Sequence, residues 1–359
     1  MSRHGTQAVR VGAQLIGGGA QISVQSMTTT DTCDVRATVA QIAALADAGC
    51  DLVRLAVPDA QAAAALPEIV RVAPVPLVAD IHFDYRLALA ALDAGIAKLR
   101  INPGNIGAAD RVRAVAQAAQ ARGVPIRVGV NAGSLQRELL ARVEAGELSM
   151  GAAMAESALA QARLLEDAGC TAIVLSVKAA HVPATIEAYT LLAERCAYPL
   201  HIGVTEAGTR QGGVIKSAIG IGALLARGIG DTLRVSLTAD PLEEVRVGRR
   251  ILQALELRPY GPDIISCPTC GRAQVDVIAI AEELERRVAE DPALRQMVCT
   301  VAVMGCVVNG PGEGFAGGAD AGMLFCKGEP IGNVAAGDAV ARLLDELRRM
   351  HDGHVTAVS

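Results

Sequence analysis

The sequence predicts an α/β chain: a (β/α)8 TIM barrel followed by a smaller α+β domain. Three observations carry that expectation. An amphipathic helix, an Asp-Ala-Gly or Arg-Gly step and a short apolar strand recur as "LADAGCDLVRLAV", "LDAGIAKLRIN", "ARGVPIRVGVN", "LEDAGCTAIVLSVK" and "LARGIGDTLRVSL". Eight candidate strands fall at 22–25, 52–57, 76–80, 97–101, 126–130, 172–177, 200–204 and 232–237, most of them followed by a helical stretch. After Leu237 and one further helix the repeat stops. Strands alternating with crossover helices are parallel, and eight such units in about 240 residues fit a closed barrel. The rival is an open doubly wound sheet, and no Gly-x-Gly-x-x-Gly opens the first helix to favour a dinucleotide-binding form of it.

The repeat has a local cause. Gly49, Gly95, Gly123, Gly169 and Gly228 each stand just past a helical pattern, where a left-handed residue ends a helix. In "DVRATVAQIAALADAG", Val35, Val39, Ile42 and Leu45 share one face at spacings of three and four. The N-terminal "AVRVGAQLIGGGAQISVQ" predicts a short hairpin covering the bottom of the barrel. "ADPLEEVRVGRRILQALEL" is the eighth crossover helix, so the barrel takes 1–257 and the second domain 258–359. In that domain a helix is expected in "VDVIAIAEELERRVAE", a strand in "MVCTVAVMG", a hairpin in "GMLFCKGEPIGNV" and a last amphipathic helix.

Composition narrows the function. The chain has 359 residues, a net charge of −5 and no tryptophan. Without clustered Lys and Arg or aromatic platforms, nucleic acid is not expected as a partner. "MSRHGTQAVR" lacks the apolar run of a signal peptide and no later run is long enough for a membrane span, so a cytoplasmic protein is expected. In a reducing compartment Cys33, Cys50, Cys170, Cys196, Cys299 and Cys326 read as small buried hydrophobes.

The strand ends are polar where barrel chemistry resides. They carry Gln25 and Ser26, Arg54, Asp80 and His82, Arg100 and Asn102, Arg127 and Asn131, Lys178, Thr205 and Glu206, and Arg234 with Ser236, while His201 lies inside the seventh strand. Salt bridges across the barrel explain some of these. They do not explain all, because the cations outnumber Asp80 and Glu206. A chain acidic overall but basic in one cleft is arranged to hold an anion, and several Arg forks suit a diphosphate. "NPGN" and "NAGSL" add glycine-rich turns whose N–H groups could join in.

In the second domain Cys267 and Cys270 stand at Cys-x-x-Cys spacing, and Cys306 is followed seven residues later by Glu313. No second Cys-x-x-Cys pair completes a zinc ribbon. Three cysteines among prolines and glycines favour an iron–sulfur cluster over structural zinc, with Glu313, Cys299 and Cys326 competing as fourth ligand. Asn309 reads from the residues as a turn residue.

Taken in order, "VQSMTTTDT", "VADIHFDYRLAL", "LRINPGNIG", "RVGVNAGSL", "TEAGTRQGGVIKSAIGIG", "GIGDTLRVSL", "CPTCGR" and "GCVVNGPGE" closely resemble the 4-hydroxy-3-methylbut-2-enyl diphosphate synthase family of the methylerythritol phosphate route to isoprenoids. The resemblance runs from about Val9 to Leu347. It implies reductive ring opening of 2-C-methyl-D-erythritol 2,4-cyclodiphosphate with loss of water, electrons passing through a 4Fe-4S cluster. By resemblance Cys267, Cys270, Cys306 and Glu313 ligate the cluster. Arg54, His82, Arg100, Arg127, Asn131, Lys178, Arg234 and Ser236 clamp the diphosphate, with Asp80 and Asn309 as further substrate-binding candidates. Glu206 resembles the family's barrel carboxylate, a proton donor, and Glu313 is counted with it as catalytic. Flavodoxin or ferredoxin is the implied electron donor. Only about 30 residues separate Leu237 from Cys267, as in the shorter bacterial members that lack an extra domain. A homodimer with a composite site is expected, because so short a link is not expected to span the barrel's height. The alternative from another class is a non-redox phosphate-binding barrel with a structural zinc docking module.

Overall fold

The computed structural model describes residues 3–306, 314–317, 321–326 and 329–356. The chain forms two compact units, Met1–Arg258 and Pro259–Ser359.

The first unit opens with an antiparallel hairpin, β1 (Val9–Val11) and β2 (Gln14–Ile16). Its Val11 and Ile16 pack on Leu52 and Ala97, which stand at or just before the start of barrel strands. The hairpin therefore covers the N-terminal face of the barrel. Eight parallel strands follow: β3 (Ser23–Met27), β4 (Leu52–Ala56), β5 (Leu77–Asp80), β6 (Lys98–Ile101), β7 (Ile126–Asn131), β8 (Ile173–Lys178), β9 (His201–Ile202) and β10 (Thr232–Leu233). Strands β3 to β8 pair in sequence order, β10 pairs with β3 and with β9, and a bridge between Leu175 and Leu200 brings the two ends of the sheet together. The last two strands are shorter than their apolar runs, and Arg234 and Ser236 lie beyond β10.

The crossover helices begin where polar caps allow. Asp34, Asp59, Ser149 and Asp240 each accept a backbone N–H of the first turn, an interaction typically worth about 1 kcal/mol. Several end at the expected glycines: Gly49, Gly95, Gly123, Gly169 and Gly228 all have positive φ. Helix Val35–Asp47 buries Thr38, Ile42 and Leu45, with Val35 and Val39 partly buried beside them. Each fully buried Leu or Ile contributes about 1.5–3 kcal/mol.

Alternation along the strands separates two environments. Val53, Leu55, Ala79, Leu99, Ile101, Val128, Val130, Leu175 and Val177 face the helices and form one continuous core with them. The intervening positions face the barrel axis and include buried Gln25, Asp80, Lys98, Arg100, Arg127, Ser176, Lys178 and His201. Barrels ordinarily fill that interior with branched apolar side chains. This one is polar and mainly cationic. At the opposite face the chain leaves the barrel through Arg258, whose guanidinium donates to the Ile22 carbonyl and to both oxygens of Asp51, residues preceding β3 and β4.

The second unit is a five-stranded sheet in the order β11 (Asp263–Ser266), β12 (Thr300–Met304), β13 (Gly314–Ala316), β14 (Ala321–Cys326), β15 (Glu329–Ala335). The first three are parallel and the last three antiparallel. Helices Val277–Glu290 and Ala339–Thr356 contribute Ile280, Leu284, Leu343 and Leu347 to a core that includes Val301, Val303 and Phe315. Strand, hairpin and both helices match expectation. Strands β11 and β13 were not foreseen. The first is mostly exposed and has no alternating pattern, and the second is only three residues long.

Candidate functional site

Parallel strands place their C-terminal ends on one face, so strand-end side chains converge without further design. Asp80, at the end of β5, is the anionic centre of the mouth. Its carboxylate accepts from Arg100 Nη1 at 3.1 Å, lies 3.2 Å from His82 Nε2 and 3.9 Å from Arg54 Nε. Burial opposes its ionisation, yet Arg54, the His82 hydrogen bond and Arg100 outweigh burial and hold the carboxyl well below the usual range. Arg54 also lies against the Met27 sulfur at 2.9 Å. Across the barrel Arg127 Nη1 donates to Gln25 Oε1 at 3.4 Å. Arg234 Nε is 3.7 Å from Glu244, whose carboxylate also accepts from Ser26 Oγ and the Leu237 N–H.

The other predicted residues surround this cluster at the strand ends. Lys178 closes β8 and is buried, with burial first, then Arg127 and Arg234, holding its amine well below the ordinary value. Asn131 ends β7 and is exposed, and Ser236 is half-buried past β10. Glu206 is exposed in the loop after β9 with φ of 51°. A non-glycine residue there is strained, a state that concentrates at functional positions. "NPGN" forms a one-turn helix, Pro103–Ile106, capped by Asn102, and not the open glycine turn expected. Pro103 at the first helical position pre-sets that turn.

Three interior residues were not singled out as site candidates. Lys98 and Glu244 are buried among the mouth cations and their partners, and His201, noted only as a polar residue within a strand, is buried below them. Burial first, then Lys178 and Arg127, keep His201 neutral, well below its ordinary value. Lys98 had a readable signal: in "AKLRIN" it stands two residues before Arg100 and so on the same face. Glu244 had none, because it reaches the mouth from a helix.

Close approach explains two glycines. A Cβ on Gly129 of β7 would stand 2.7 Å from Arg100 Nε, and one on Gly203 would meet Lys178 Nζ at 2.8 Å. These positions leave room for the two cations to lie along the neighbouring strand. Gly129→Ala is expected to displace the Arg100 guanidinium from Asp80 and weaken anion binding by about tenfold. Titration with inorganic pyrophosphate, alongside a thermal melt showing an intact fold, measures it.

In the second unit β11 and β12 run parallel, so Cys267 and Cys306, which follow them, leave the same sheet edge. Cys267 is half-buried, Cys270 exposed and Cys306 buried. The Gly305 N–H donates to Cys267 Sγ at 3.3 Å. A backbone N–H at Arg272 is the main cause that pulls the Cys270 thiol below its ordinary value. The lowered Cys270 favours thiolate over thiol, the form that binds a metal. Among the described residues no three His, Cys, Asp or Glu side chains are gathered closely enough to hold a metal ion. Glu313 and Asn309 lie outside the described residues. Of the cysteines expected to be buried hydrophobes, Cys50 and Cys170 are, and burial pushes their thiols up to about 12 and about 11. Cys33 is exposed, contrary to expectation, because it stands in the polar loop before Asp34. Cys196, Cys299 and Cys326 are half-buried.

Fold and site define a (β/α)8-barrel protein with a cationic mouth and a separate cysteine-bearing α+β unit. Residues 6–249 match the family described as the GcpE TIM-barrel domain, and residues 263–349 match the GcpE protein C-terminal domain. A protein of Geobacter sulfurreducens named 4-hydroxy-3-methylbut-2-en-1-yl diphosphate synthase (flavodoxin) is 55% identical over 96% of this chain and 98% of its own. A protein of the same name from Ruminiclostridium cellulolyticum is 51% identical over 98% and 99%. The chain belongs to this GcpE family of 4-hydroxy-3-methylbut-2-en-1-yl diphosphate synthases, which are oxidoreductases. Among solved structures, an N-acetylneuraminic acid synthetase of Leptospira borgpetersenii aligns at a TM-score of 0.50 and 12% identity, covering 82% of this chain and 100% of that one, a likeness of fold alone. Among the described residues no helix is long and apolar enough to cross a membrane.

Proposed function

We propose that this chain reductively opens 2-C-methyl-D-erythritol 2,4-cyclodiphosphate to 4-hydroxy-3-methylbut-2-enyl diphosphate. One carbon–oxygen bond to phosphate breaks, the neighbouring hydroxyl departs with a proton as water, two electrons enter, and a carbon–carbon double bond forms. The observation that carries the substrate half is the mouth itself: Arg54, Arg100 and Arg127 gather by Asp80, and Lys178 is buried beside Arg127 and Arg54, in a chain that is acidic overall. Surplus buried cations with few carboxylates suit a diphosphate. Arg54, His82, Arg100, Arg127, Asn131, Lys178, Arg234 and Ser236 hold and orient it, and Asp80 fixes the direction of two of those guanidinium groups. Glu206 supplies the proton that leaves with the hydroxyl, and Asn309 contacts substrate.

A 4Fe-4S cluster, when bound by Cys267, Cys270, Cys306 and Glu313, supplies the electrons, drawn from flavodoxin or ferredoxin. The donor set fits it chemically: a Cys270 thiolate favoured by the backbone N–H at Arg272, two further cysteine sulfurs, and one hard carboxylate oxygen, a weaker partner for iron than sulfur. The working unit is a cytoplasmic homodimer in which each cluster unit serves the partner's barrel. Exit of the chain at Arg258, on the face opposite the mouth, supports that arrangement. Protein purified without oxygen is expected to carry iron and labile sulfide in equal amounts and to turn over the cyclodiphosphate with reduced flavodoxin. Zinc in place of iron, with no turnover, would favour a phosphate-binding barrel carrying a structural zinc module.

A further inference from the structure

We propose that Lys98 is a further substrate-binding residue, the floor of the barrel's anion site, where its ammonium takes an oxygen of the inner phosphate directly or through one water. The inference rests on the diphosphate reading of the mouth. Lys98 opens β6 and is fully buried. Its register runs through Val78 and Arg54 to Met27, on the axis-facing side of four successive strands, one step below the Asp80–Arg100–Arg127 row. Its charged neighbours are Arg127 and Arg54, both cations. Among the described residues its Nζ has no hydrogen-bond partner. Lysine is almost never fully buried unless paired, and an unpaired buried ammonium is costly. Nearby, Gln25 Nε2, Arg127 Nε and His201 Nε2 also lack partners in the described residues. The amide and guanidinium groups, like the ammonium, can only donate there. Asp80 is committed to Arg100, His82 and Arg54, and Glu244 to Ser26 and Leu237. An anionic oxygen entering from the mouth satisfies donors left unmet among the described residues.

Inorganic pyrophosphate, titrated calorimetrically into the full-length chain prepared without oxygen, tests this. Lys98→Met keeps the unbranched stem and removes the charge, so it is expected to melt no lower than wild type without ligand. It should bind pyrophosphate about ten- to a hundredfold more weakly. Lys98→Gln, retaining one donor, should fall between and serves if the methionine variant does not fold. Unchanged affinity in the folded variant, with wild type binding, overturns the inference and leaves the diphosphate reading standing. A lowered melting temperature with unchanged affinity marks a structural lysine and also overturns it. Failure of wild type to bind pyrophosphate overturns both.

Discussion

Replacing Asp80 by Asn is expected to destabilise the barrel by about 3–5 kcal/mol, the scale of removing one partner from a buried ion pair. The carboxylate is the shared partner of Arg54, His82 and Arg100, Arg127 also feels its charge, and Lys98 sits beside Arg127 and Arg54 with no hydrogen-bond partner among the described residues. An amide of the same shape keeps one hydrogen bond and loses the charge that lets these cations coexist. Urea denaturation of the full chain measures the loss, and added pyrophosphate should narrow the gap by restoring negative charge. The pH dependence follows from the direction of the shift. The folded carboxyl is held below its unfolded value of about 3.9. Its contribution is therefore present above about pH 4 and is lost as pH falls toward the folded pKa. Wild type should lose this part of its stability on acidification below about pH 4, and Asp80→Asn should not. Equal urea midpoints for the two proteins at pH 7 would show that Asp80 does not organise the clamp.

The second large effect is recovery of activity from two inactive chains. A Cys267→Ser chain lacks a proposed cluster ligand, and a Glu206→Ala chain lacks the proposed proton donor of the barrel. Each alone is expected to be inactive. In the proposed homodimer a mixed pair keeps one intact site, built from the first chain's barrel and the second chain's cluster unit. Random pairing makes about half the dimers mixed, each with one working site of two, so co-expression should restore roughly a quarter of wild-type activity. Verified mixed dimers without activity, or a fully active monomer, would exclude the composite site.

Much of the architecture was legible because its signals are local. A helix face repeats every three or four residues, an aspartate or serine caps the next turn, and a glycine ends it. None of this requires knowing what lies across the molecule. The candidate clamp was legible for a related reason: charged residues at the ends of apolar strands conflict with burial, and parallel strands deliver all their ends to one face. Local signals failed where the element itself was weak, as at β11 and β13, whose short or exposed runs gain their order from the strand beside them. They failed also at Cys33, where an isolated thiol gives no sign of which side of a loop it occupies.

Sequence alone thus determined the barrel, the second α+β unit and the set of polar strand ends, because period, cap and turn are properties of neighbouring residues. Tertiary structure alone decided which of those charges pair and which do not. Asp80 takes three partners from three strand ends, Glu244 enters the mouth from a crossover helix, and Gly129 yields its space to Arg100 of the next strand. Lys98 is left without a partner among the described residues only because the ring of strands closes near Leu175 and Leu200 and turns one face of every strand inward. Pairing depends on distances between residues far apart in the chain, and those exist only once the barrel has closed.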